Sequence, residues 1–136
     1  LGCDRNVLHM HEGKQIHRSS HALVDDLSDV DTDASSADDL FDALKGKDCT
    51  MFAHIIGRYA DIKISHDVRL EKSVKVHFAW GTFEWLMTDA FEKGYRAGIV
   101  SNSDSHKGRP GASHSGSTKF AAYRGLTCML APTFSR

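Results

Sequence analysis

Between Val74 and Val100 the hydrophobic pattern changes period twice, and this switch limits the possible folds more than any other feature of the chain. Val74-Lys75-Val76-His77-Phe78 alternates as a half-buried strand does. Phe83, Leu86, Met87, Ala90 and Phe91 then follow the spacing of one buried helical stripe. Thr82 is placed to cap that helix, Asp89 and Lys93 to pair along it, and Gly94 to end it. Ala97 to Val100 returns to a strand. Strand, helix and strand with short connections predict a parallel α/β arrangement.

The flanking segments carry the same alternation. Arg5 to His11 reads as a short strand around Val7, Leu8 and Met10. Ser36 with Asp39 three positions later forms a capping-box pattern before the apolar face of Leu40, Phe41 and Leu44, and Gly46 is a stop. Thr50 to Ala53 reads as a buried strand leading into His54, and Ile55 to Asp61 as a loop. Lys107 to Ser117 is a Gly/Ser-rich loop. Leu126 to Ala131 reads as a last strand, stopped by Pro132.

A length of 136 residues fits one domain, here 1–136, and 40% hydrophobic with 26% charged residues is ordinary for a globular chain. The formal net charge of -1 provides no basic field for a polyanion, so a nucleic-acid partner is not expected. The apolar runs are too short to span a bilayer, and no membrane role is expected. Cys3, Cys49 and Cys128 are odd in number and far apart, which argues against a disulfide framework or a cysteine zinc knuckle. A reducing compartment, the cytoplasm, is favoured. The N-terminus has neither an initiator Met nor a signal-peptide pattern, so Leu1 reads as the start of a fragment or processed product.

Nine histidines are many for this length and direct attention to metal or acid–base chemistry. His54, His77 and the Asp104/His106 pair all fall at the ends of strand-like runs. In parallel α/β folds the C-terminal strand ends form the functional face. Each residue alone has a plain structural role: a strand-end histidine satisfied by a carbonyl, or an aspartate closing a turn. Together they are one hard oxygen and three imidazoles that a sheet or barrel brings to one place, the donor set of a divalent-metal site. Divalent ions there polarise a substrate oxygen and lower the pKa of a bridging water. Arg58 and Arg109, in the loops that follow, suit a bidentate grip on a phosphate or carboxylate, and Asn102 and Ser103 either orient the loop or meet substrate.

His9-Met10-His11 places two imidazoles on one strand face, a weaker ligand pattern. His17, His21, His66 and His114 read as non-ligands. Asp29, Asp31 and Asp33 imitate the start of a calcium loop, but Ala34 and Leu40 replace the glycine and glutamate an EF-hand needs, so the stretch reads as a solvated acidic loop. No phosphate-binding P-loop and no serine nucleophile elbow is present.

Three strings carry a family resemblance: His54-Ile55-Ile56-Gly57-Arg58-Tyr59-Ala60-Asp61; Val76-His77 with Trp80-Gly81-Thr82-Phe83-Glu84-Trp85; and Asn102-Ser103-Asp104-Ser105-His106-Lys107-Gly108-Arg109-Pro110-Gly111. The chain resembles the PHP (polymerase and histidinol phosphatase) superfamily of metal-dependent hydrolases, in an uncharacterised bacterial branch. The resemblance implies α/β architecture, as the C-terminal part of a distorted TIM-like barrel of seven strands. It implies metal ligands at His54, His77, Asp104 and His106, with up to three zinc, manganese or iron ions in a complete site. It also implies a phosphorylated small-molecule substrate, hydrolysed by a metal-activated water. Asp104 and His106 would serve catalysis, and Arg58 or Arg109 is our extension for holding the phosphate. Two departures stand out. The family's opening HxH motif and bridging Glu are not visible, and Lys75 stands where this branch usually has an acid. An incomplete barrel leaves sheet edges open to self-association. The alternative expectation is a non-catalytic metal-binding or structural remnant.

Overall fold

Ser36 opens the first helix as its spacing predicts. Its hydroxyl accepts from the Asp39 N–H at 3.1 Å, and the Asp39 carboxylate accepts from the Ser36 N–H at 3.0 Å. This reciprocal pair satisfies two donors that a helix start leaves orphaned. The computed structural model describes residues 4–12, 15–54, 61–78, 81–102 and 127–133. Within them the order is β1 (Arg5–His9), a single turn of 3₁₀ helix (Val30–Thr32), α1 (Ala37–Leu44), β2 (Cys49–Ala53), β3 (Glu71–Phe78), β4 (Gly81–Thr82), α2 (Trp85–Glu92) and β5 (Gly98–Ser101). Gly46 and Gly94 follow the two helices with φ of 76° and 73°, the left-handed geometry that ends a helix without a Cβ clash.

The five strands form one mixed sheet, and the protein is α/β. β3 is its centre. β2 and β5 both run parallel to β3, whereas β1 lies antiparallel to β2 and β4 antiparallel to β3. The parallel arrangement expected from the sequence is realised for β2, β3 and β5, within a mixed sheet. The β3–β4 return follows from chain length: two residues separate Phe78 from Gly81, too few for a parallel crossover. Among the described residues β1 and β5 each pair along one edge only, so the sheet is open.

Both helices cover the same face. Phe41, Leu44 and Ala37 of α1 pack on Met51 and Leu70, while Leu86 and Ala90 of α2 pack on Ala53, Val74 and Val76. Met51 and Ala53 are two apart on one strand, which places the two clusters on one side of the sheet.

Four local expectations are revised. Thr82 belongs to β4 and sits opposite His77, and α2 begins only at Trp85. Phe91 is 53% exposed: the buried line runs through Leu86 and Ala90, and Phe91 lies about 100° further round the helix. Asp89 meets Lys63 at 3.0 Å, so its partner comes from a distant loop and not from Lys93. Residues 127–131 are not a strand. Thr127 accepts from the Ser101 N–H at 2.9 Å and donates to the Ser101 carbonyl at 3.0 Å, but no ladder follows, and Met129 and Leu130 are fully in solvent. Among the described residues no helix is long and apolar enough to cross a membrane.

Candidate functional site

Because β2, β3 and β5 are parallel, their C-terminal ends meet at one edge of the sheet. His54 follows the last residue of β2, His77 is the penultimate residue of β3, and Asn102 follows the last residue of β5. The Asn102 N–H donates to the His77 carbonyl at 3.3 Å, holding the chain beside β3 as it leaves β5. Asp104, His106, Arg58 and Arg109 lie outside the described residues, as does the Gly/Ser loop. The sequence separates Asp104 from Asn102 by one residue, a reach of about 7 Å at full extension.

His77 is oriented by its cross-strand neighbour. Its Nδ1 and the Thr82 hydroxyl oxygen are 2.8 Å apart. With the Nδ1–H donating to that oxygen, the lone pair is on Nε2. This Nε2 is buried and has no hydrogen-bond partner among the described residues. An imidazole with one nitrogen anchored to oxygen and the other kept as a bare acceptor matches the arrangement of metal-ligating histidines.

His54 has different surroundings. Ala53 and Val74 are paired directly and face the helices. The next residues, His54 and Lys75, turn to the opposite face, where Lys75 Nζ lies 2.6 Å from His54 Nε2. Both are buried, at 1% exposure for Lys75 and 4% for His54. Phe52, two before His54, stacks near its ring at 6.5 Å.

His9 and His11 do not form a ligand pair. β1 ends at His9, and His11 lies beyond it in solvent, 3.0 Å from Asp48. Among the described residues no group of three or more His, Cys, Asp or Glu has metal-binding geometry.

The acidic loop is more ordered than a solvated stretch. His21 sits between two carboxylates, with Nδ1 2.5 Å from Asp33 and Nε2 2.9 Å from Asp29, and Arg18 donates to Asp29 at 2.6 Å. Both ring nitrogens face acceptors, so the doubly protonated imidazolium satisfies them together. The hydrogen bond to Asp29, with that to Asp33 behind it, raises the His21 pKa above its ordinary 6.5. A raised folded value adds stability that is complete below the unfolded value of about 6.5 and is lost as the pH climbs through the folded value. Hydrogen-exchange protection of the Ala34 N–H, which bonds to the Arg18 carbonyl at 2.7 Å, should therefore fall over that window after correction for intrinsic exchange. In His21→Phe the corrected protection should not vary with pH. Equal pH dependence in both proteins would refute the imidazolium clasp.

No family model matches the chain, and no curated protein or solved structure matches it either.

Proposed function

We propose that this chain supplies part of the site of a PHP-type metal-dependent hydrolase acting on phosphoesters, within the C-terminal part of a distorted β/α barrel. The reading draws its metal ligands from His77, Asp104 and His106, with His54 at the same rim, its cations from zinc, manganese or iron, and its phosphate contact from Arg58 or Arg109. Asp104 and His106 take the catalytic positions. A divalent cation supplies Lewis-acid polarisation of the phosphoryl oxygen and activation of water. The observation that carries the reading is the His77 ring: Nδ1 anchored on Thr82, and Nε2 buried and unpartnered among the described residues. Asn102, tied to the His77 carbonyl, stands two residues before Asp104 in the sequence.

The test is zinc binding by equilibrium dialysis on the whole chain. His77→Ala should abolish high-affinity binding, and Thr82→Val should weaken it about 10- to 100-fold by releasing the ring. Zinc affinity indifferent to both substitutions would sink the reading. Manganese-dependent hydrolysis of p-nitrophenyl phosphate separates the hydrolase from the second reading, a non-catalytic metal-binding remnant. That second reading is favoured by one observation, the Lys75 amine at His54.

A further inference from the structure

Lys75 Nζ lies 2.6 Å from His54 Nε2, so one hydrogen is shared between the two nitrogens. A charged amine donates to the Nε2 lone pair, and a neutral one accepts from the Nε2–H. In either arrangement Lys75 fills the direction in which Nε2 would meet a cation. A coordinate bond needs a lone pair, so Nε2 cannot bond Lys75 and ligate a cation at once. The backbone also holds the pair in place. Ala53 and Val74 are register partners, so the next residue on each strand falls side by side on the same face. Burial of both side chains shields the pair from water.

We infer that the Lys75 amine stands in for a cation at His54, dividing the strand-end cluster into a metal-free half at His54 and a half at His77 that is open to a divalent ion. The His77 half rests on the function proposed above, whereas the His54 half rests only on the Lys75 contact. The lysine thus acts as a positioning residue: it orients His54 and occupies the place beside Nε2 that a cation would take.

The experiment is imidazole ¹⁵N NMR on the whole chain, titrated with zinc alone, for the wild type and Lys75→Met. In the wild type, His54 Nε2 should hold its shift as zinc is added. In Lys75→Met the same nitrogen should move to a metal-bound position, and the bound zinc should rise by one ion per chain. A zinc-induced shift at His54 in the wild type overturns the inference, as does an unmoved His54 in a natively folded Lys75→Met protein. Lys75→Gln replaces the Met variant if that one fails to fold, and the wild-type spectrum decides alone if both fail. His77 is read in the same spectra. If His77 stays unmoved by zinc, the metal reading falls while the assignment of Lys75 is still judged on His54.

Discussion

Glu71→Ala is expected to destabilise the chain by about 3–5 kcal/mol, the cost of leaving a buried partner charge uncompensated. Glu71 and Arg5 are ion-paired through Arg5 Nε with side-chain exposures of 0% and 1%. The other Glu71 oxygen accepts from His66 Nδ1 at 2.6 Å, and the His66 ring stacks on Tyr95 with centroids 3.9 Å apart. Arg5 also donates to the Ser65 carbonyl at 3.2 Å and lies 6.0 Å from the Phe41 ring centroid. Removing the carboxylate leaves the buried guanidinium without its counter-charge and costs His66 its acceptor. The double replacement Arg5→Met with Glu71→Leu should recover most of the loss, because a buried ion pair and an apolar pair of similar volume differ little in stability. Urea denaturation midpoints of the single and double variants check this. Strict additivity of the two single effects would show that the pair is not coupled.

The second large effect is Leu86→Ala, expected to cost about 2–5 kcal/mol through lost apolar transfer and the cavity left behind. Leu86 is completely buried in the cluster that joins α2 to Ala53, Val74 and Val76. Phe91→Ala on the same helix removes a larger side chain but should change stability by no more than about 0.5 kcal/mol, because Phe91 is 53% exposed. The sequence pattern alone places both residues on one stripe, so the contrast measures what the tertiary contacts add. Equal effects at the two positions would contradict the packing described here. Val74 and Val76 flank Lys75 on β3, so the Leu86 cavity also reaches the strand that carries Lys75 and His77.

Local signals carried most of the element assignments. The Ser36/Asp39 box, the stop at Gly46 and the apolar face of α1 depend on neighbours within one or two turns, and they appear where the spacing puts them. Strands β2 and β3 were legible from apolar runs, yet β3 starts at Glu71, three residues before its alternation begins. Glu71 is polar because it belongs to a buried ion pair, and Lys72 is the exposed extra residue of a bulge. In that bulge Phe52 is registered on Ser73 while Met51 is registered on Glu71, leaving Lys72 extra. Hydrophobic periodicity cannot report a carboxylate that is buried by its partner. His21 was set aside for the same reason: its partners Asp29 and Asp33 are 8 and 12 residues away, beyond any local rule.

The positions of His54 and His77 at strand ends could be read from residue order, since a strand's apolar run marks where it stops. What each ring touches could not. Thr82 reads locally as a helix cap and becomes the anchor of His77 because a two-residue connection folds β4 back on β3. Lys75 reads as the polar member of an alternating strand and becomes a buried neighbour of His54 because Ala53 and Val74 are in register. Sequence by itself determined the short-range choices: caps, stops, strand cores and the residue types delivered to the rim. Tertiary structure alone decided strand direction, register and therefore the partner of each polar side chain, because pairing between strands brings together residues such as His54 and Lys75, which the chain keeps 21 positions apart.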